Sequence, residues 1–209
     1  MNADLQLLQA WSRGDEVAGK TLVGRYYKRV YGFVRSKVEG RPRDLVQRTF
    51  LICLERHERY DPQASFAAFL LGIARNVIFE HFRALQKQQR FDPMTTAVRD
   101  LAPSPSAIVV DREEHRLLLA ALRSVPLDVQ IVLELFYWEG LPLDEIARIQ
   151  GVAVGTAKSR LHRARELLRE VMEQSGADEA VRRATLQSFE HWARGLQAFV
   201  QADDEPGSR

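Results

Sequence analysis

The chain has 209 residues, room for one large domain or two small ones, and at 28% charged residues with a formal net charge of +2 it has the composition of an ordinary water-soluble protein. Its single cysteine, Cys53, excludes an internal disulfide framework and a cysteine-rich zinc site. No apolar run approaches the ~20 residues that span a bilayer, and the opening MNADLQLLQAW lacks the basic segment and cleavage site of a signal peptide, so a cytoplasmic protein is expected.

Apolar residues recur at helical spacing along nearly the whole chain and no stretch of four or more alternates cleanly, which predicts an all-α fold. Asp4 can cap a short helix carrying Leu5, Leu8 and Trp11 that stops near Gly14. Asp15 restarts a longer helix through Val17, Leu22, Tyr26, Val30, Phe33, Val34 and Val38, closed by Gly40 and Pro42. A third helix, over about 43–59, turns Leu45, Val46, Thr49, Phe50, Cys53 and Leu54 inward. Tyr60-Asp61-Pro62 breaks it, because proline restricts the residue before it as well as itself. A fourth, over about 65–89, carries Phe66, Phe69, Leu70, Ile73, Ala74, Val77, Ile78 and Phe82 on one face. Together these four predict a compact helical domain over residues 1–90.

Residues 91–110 hold Pro93, Pro103 and Pro105 with little periodicity, the composition of a flexible linker. A second helical domain is expected over residues 111–173, with helices up to Pro126, then over 127–139, then a helix-turn-helix. Leu143, Ile146, Ala147 and Ile149 give the first helix of that motif its apolar face, with Asp144 and Glu145 in the first turn, where the helix dipole favours negative charge. Gly151 ends it as a left-handed cap. Gly155 and Thr156 start the second helix, which buries Ala157, Leu161, Ala164, Leu167 and Leu168 and leaves Lys158, Ser159, His162, Arg163 and Arg165 outside or beside that face. In a helix-turn-helix the start of the second helix meets base edges in the major groove while basic groups farther along hold phosphates, so DNA is the expected partner. Basic residues concentrate in 20–43 and 158–169, whereas Asp203, Asp204 and Glu205 make the tail acidic. Residues 174–209 form a C-terminal extension in which Phe189, Trp192, Leu196 and Phe199 make the stripe of an amphipathic helix, read as extra core on the second domain, a docking surface for a regulator, or a lid across the two domains.

Two separated stretches resemble one family, the extracytoplasmic-function (ECF) sigma factors of bacterial RNA polymerase. DLVQRTFL with FAAFLLGIARN is similar to the family's region two, and DEIARIQGVAVGTAKSRLHRARELLRE to its region four, in the family's order and with a linker between. The resemblance covers roughly residues 5–171. It implies two small helical domains, regions two and four, in a protein without catalytic chemistry that binds core polymerase, recognises the minus-ten and minus-thirty-five promoter elements and assists DNA opening.

By that resemblance Asp44, Gln47, Thr49 and Phe50 would meet the polymerase clamp helices. Tyr60 would stack on an unpaired minus-ten base, Asn76 would bond its Watson-Crick edge, and Glu80, one turn on, would favour an exposed amine. Lys28, Arg35 and Lys37 would hold the strand's phosphates. Lys158, Ser159, His162 and Arg163 would read the minus-thirty-five duplex, with Thr156 and Arg160 positioning its backbone. Core polymerase, promoter DNA and an anti-sigma factor are the implied partners of a protein that is monomeric when free and works at the nucleoid, with no cofactor, metal or membrane insertion. Arg43 and Arg48 stand where the family usually has acidic residues, and Phe69 replaces a usual Trp.

Two other classes of function fit parts of the chain. A helix-turn-helix regulator that binds DNA alone as a dimer would explain the second domain but has no use for the DLVQ and IARN segments. An enzyme would need clustered carboxylates or a nucleophile beside a base. Its five histidines, His57, His81, His115, His162 and His191, are instead scattered.

Overall fold

The computed structural model describes residues 3–38, 40–85, 91–98, 113–175 and 178–180, and among them the regular structure is helical apart from one isolated bridge between Ala97 and Pro126. The chain divides into two compact units, Met1–His81 and Phe82–Arg209.

The first unit begins with α1 (Ala3–Ser12), which lies against α2 (Glu16–Arg35). Asp4 does not act as the expected cap. It stands within the first turn of α1, where it pairs with Arg25 and accepts a hydrogen bond from the Tyr26 hydroxyl at 2.7 Å. Burial, reinforced by that carboxylate, pushes the Tyr26 phenol well above its ordinary range. Asp15 does cap α2, accepting from the backbone N–H of Val17 at 2.9 Å and Ala18 at 3.0 Å. Val17, expected inside, is 72% exposed. Ala18 and Gly19 are buried instead, and a β-carbon on Gly19 would lie 2.5 Å from the Trp11 ring.

The second helix stops at Arg35, earlier than its apolar pattern suggests. Ser36 caps it, and Lys37 folds back so that Nζ donates to the Phe33 carbonyl at 2.7 Å and to Ser36 Oγ at 2.9 Å. A cation at a helix C-terminus meets unsatisfied carbonyls and the negative end of the dipole. Beyond Gly40, which has φ of +88°, α3 (Pro42–Glu55) opens on a proline in its first turn, where a missing N–H costs nothing. The expected continuation to residue 59 is a 3₁₀ turn, His57–Arg59, and α4 (Phe66–Leu85) follows. Leu8, Leu22, Val34, Val46, Phe66, Leu70, Ala74 and Ile78 form the buried interior of this unit together with Cys53. Burial pushes the Cys53 thiol up to about 12.

The second unit contains part of the stretch read as linker. Within residues 91–98, Asp92 Oδ1 accepts from the Met94 N–H at 2.9 Å and the Asp92 carbonyl from the Thr96 N–H at 2.8 Å. This turn presents two further carbonyls to α6 (Leu127–Tyr137), which follows α5 (Glu113–Ser124). The Leu127 N–H donates to Thr96 and the Asp128 N–H to Pro93, each at 2.9 Å. Pro126, the cap of α6, has no side-chain group for those amides, so this strap supplies the acceptors from outside the helix. Ala97 and Val98, at the end of this strap, are buried.

Two further helices, α7 (Leu143–Gln150) and α8 (Val154–Glu173), complete the unit. Leu161, Ala164, Leu168 and Met172 of α8 join Leu118, Leu122 and Leu133 in one apolar cluster. After Ser175, Asp178 Oδ1 accepts from the Ala180 N–H at 2.7 Å, a helix-opening pattern. The apolar stripe of Phe189, Trp192, Leu196 and Phe199 lies outside the described residues.

Candidate nucleic-acid and polymerase interfaces

The turn between α7 and α8 is set by local sequence. Gly151 adopts φ 65° and ψ 38°, the left-handed region that favours glycine, and its N–H closes on the Ala147 and Arg148 carbonyls while the Val152 N–H returns to Ala147 at 3.0 Å. α8 then starts at Val154 behind Ala153, which has no capping side chain.

One face of α8 packs on the core and the opposite face is open. Thr156, Lys158, Ser159, His162 and Arg163 are all exposed, on the side away from Ala157, Leu161, Ala164 and Leu168. The structure thus brings together five of the six residues read as duplex contacts. Arg160, the sixth, turns inward and lies 3.8 Å from Asp128, whose side chain is 2% exposed. The same carboxylate accepts from Gln150 Nε2 at 3.2 Å. Asp128 therefore ties α6, the end of α7 and the first turns of α8 to one another. Arg165 rests over the rings of Phe136 and Tyr137, 5.4 and 5.2 Å from their centroids, which holds its charge beside the core.

In the first unit, α3 divides the predicted polymerase contacts between two faces. Asp44 and Gln47 are exposed, whereas Thr49 and Phe50 are buried, Thr49 donating its hydroxyl to the Leu45 carbonyl at 2.7 Å. Their spacing explains the split, since 49 and 50 share the helical face of Leu45, Val46 and Cys53. Leu51, four residues after Gln47 and three after Arg48, is 51% exposed on the same side as Asp44, Gln47 and Arg48.

Of the residues read as single-strand contacts, Lys28, Asn76 and Glu80 are exposed and Arg35 is half-buried. Glu80 is held to α3 by Arg48, with Nη2 and Oε2 2.6 Å apart. Arg48, which departs from the family's usual acid, thus has an intramolecular partner. Two residues stand elsewhere than expected. Tyr60 is 5% exposed, its hydroxyl donating to the Ala64 carbonyl at 3.1 Å and its ring 5.5 Å from Phe66 and 5.4 Å from Phe69, so aromatic partners already occupy it. Lys37 is wholly buried, closing α2 instead of reaching for phosphate.

Among the described residues no three His, Cys, Asp or Glu side chains converge as a metal site would require, and no helix is long and apolar enough to cross a membrane.

Residues 22–88 match the family description Sigma-70 region 2 and residues 115–168 match Sigma-70, region 4. The chain is 31% identical over 170 residues to the RNA polymerase sigma factor CarQ of Myxococcus xanthus, covering 79% of this chain and 95% of that protein. It is 30% identical over 159 residues to the ECF RNA polymerase sigma factor SigX of Bacillus subtilis, covering 73% and 82%. In fold it resembles CnrH, solved in complex with the cytosolic domain of CnrY, at TM-score 0.59 and 24% identity over 84% of this chain and all of that one. It also resembles the sigma factor RpoE of Bartonella quintana, solved with the anti-sigma factor NepR, at TM-score 0.54 and 22% identity over 74% and 96%.

Proposed function

The chain belongs to the extracytoplasmic-function sigma factors of the sigma-70 family, initiation factors that bind core RNA polymerase and direct it to specific promoters, and we propose the following division of that work among its residues. Residues 1–90 bind polymerase and the minus-ten element, 91–110 connect while their first eight residues brace the start of α6, 111–173 bind the minus-thirty-five element, and 174–209 form a C-terminal extension.

The observation that carries this reading is the open face of α8, where Thr156, Lys158, Ser159, His162 and Arg163 stand clear of the core. Side chains at the start of such a helix reach base edges, and the cations farther along reach phosphates. Arg160 acts through Asp128, holding that helix at its angle. On α3, Asp44, Gln47 and Leu51 form the polymerase-facing surface, with Thr49 and Phe50 as the packing beneath it. Lys28 and Arg35 attract the non-template strand, and Asn76 and Glu80 read an extruded base, with Glu80 steadied by Arg48. Tyr60 and Lys37 shape that region from within. The chain supplies binding energy and no bond-making chemistry, and acts at the nucleoid as a monomer until it joins polymerase. An anti-sigma protein as regulator is supported by the complexes in which CnrH and RpoE were solved.

Run-off transcription with purified core polymerase and a template library randomised over both promoter elements tests this. Transcripts that require the protein and share a two-part motif are expected, because two weak sites joined at a fixed spacing act together. A palindromic footprint made by the protein alone, with no polymerase-dependent transcript, would instead identify a free-standing regulator.

A further inference from the structure

The glycines of this fold fall into groups with different physical reasons. Gly14, Gly40, Gly140 and Gly151 have positive φ, a backbone region that side chains disfavour. Gly19 sits under the Trp11 ring, with no room for a β-carbon. Gly155, like Gly24 in α2, fits neither group. It lies in the first turn of the 20-residue helix α8, its φ is not positive, and a β-carbon built on it meets nothing within 4 Å. Glycine in a helix is the least favourable choice after proline, so folding alone would favour almost any other residue there.

What surrounds Gly155 points outward. Residues 155, 159 and 162 follow one another along a single line of the helix. Gly155, Ser159 and His162 are all exposed, with Lys158 and Arg163 exposed on either side. Ser159 Oγ donates to the Gly155 carbonyl at 3.0 Å, which keeps that hydroxyl low on the helix surface. Val154, beside the glycine, is 48% exposed, so the first turn offers a shallow apolar and backbone surface flanked by polar groups.

We propose that Gly155 is a positioning residue for promoter recognition: the missing side chain lets the duplex edge pack against the backbone of α8's first turn, which sets the depth at which Ser159 and His162 meet the bases. The inference rests on the assignment of α8 to the minus-thirty-five duplex. A side chain at 155 would act as a spacer, holding the groove away by about the width of a methyl group at the first turn and lengthening the nearest base-edge contact, that of Ser159, beyond hydrogen-bond range.

The test compares full-length wild type with Gly155→Ala, Gly155→Val and Gly24→Ala. Gly24 is the matched control, an exposed helical glycine with nothing within 4 Å of an added β-carbon, and it has no part in the α8 surface. Each variant is assembled with core polymerase, and its affinity is measured on a selected promoter and on the same promoter with the minus-thirty-five element scrambled. Thermal melting of the free chains runs in parallel.

Gly155→Ala and Gly24→Ala are expected to melt at or above the wild-type temperature and to assemble with polymerase normally. The ratio of selected to scrambled affinity is expected to fall about tenfold for Gly155→Ala, equivalent to losing one good base-edge contact. It should fall further for Gly155→Val and stay unchanged for Gly24→Ala. A Gly155→Ala protein that keeps the wild-type ratio overturns the proposal, as does one that melts lower than wild type, since the glycine would then serve the fold. A wild-type protein indifferent to scrambling would remove the assignment of α8 itself, and the proposal with it.

Discussion

Removing the Arg160 guanidinium would take a cation away from a carboxylate that is 2% exposed and that also receives Gln150. Buried acids left short of a partner are costly, but Arg160 is 34% exposed and water can fill part of its place, so Arg160→Ala should lose about 1–3 kcal/mol of stability. Urea unfolding of the full chain checks this, and Arg160→Lys should recover part of the loss. If Arg160 instead serves DNA alone, promoter affinity will drop with no change in the unfolding midpoint. Cys53 allows a second residue-scale prediction. Its thiol is lifted by burial from an ordinary 9.0 to about 12, so at pH 8 the native thiolate fraction is depressed about a thousandfold relative to a free cysteine. Alkylation should therefore proceed only as fast as the protein opens. The sign for stability follows: a raised pKa leaves the folded state favoured below pH 9, and that contribution declines as the pH climbs from about 9 toward 12. Cys53→Ala should flatten the decline, and rapid labelling of the native protein would contradict both expectations.

Helices show the same contrast between near and far neighbours. Contact between α1 and α2 depends on Gly19, where a β-carbon would lie 2.5 Å from the Trp11 ring. Gly19→Ala should destabilise the protein by about 1–3 kcal/mol, the cost of overpacking. A smaller residue at position 11 should relieve the clash, so Gly19→Ala with Trp11→Leu is expected to lose less than the sum of the single changes in thermal melts. Equal, additive losses would mean the two helices do not meet there. Features of this kind mark how far the sequence could be read. Asp15 as a cap and Gly151 as a left-handed terminus were readable because both are decided within four residues of chain. The inward faces of α3, α4 and α8 were readable because periodicity records burial directly. Asp4, Val17 and Lys37 went elsewhere because their surroundings come from another helix or from a helix end. Thr49 and Phe50 were readable as inward from the period of α3 although the family motif offers them to polymerase, whereas Tyr60 is turned inward by aromatic partners on α4, and exposure separates all three from Asp44, Gln47 and Asn76.

At the scale of the whole molecule, the stretch from Phe91 to Val98 is the main departure from what composition suggests. Three prolines mark residues 91–110 as linker, but Pro93 and Thr96 give their carbonyls to the first amides of α6. A fragment covering 91–175 should consequently be more stable than one covering 113–175, by about 1–3 kcal/mol for two amides left unpaired and the apolar Ala97 and Val98 removed. Denaturant midpoints of the two fragments decide it, and equal midpoints would show the strap to be dispensable. Sequence patterning had no means of revealing this contact, since backbone carbonyls are the same in every residue and what they satisfy is a helix start some thirty positions away.

That strap also orders events on the ribosome. Chains emerge at roughly 5–20 residues per second and N-terminal units fold first. Pro93 and Thr96 leave the tunnel some thirty residues before Leu127 and Asp128, so for roughly 2–6 s their carbonyls have no helix start to close upon. The first unit, ending at His81, is by then fully synthesised and can fold undisturbed. A ribosomal pause placed before α6 would lengthen that interval, whereas one placed inside α3 would interrupt a core still lacking α4.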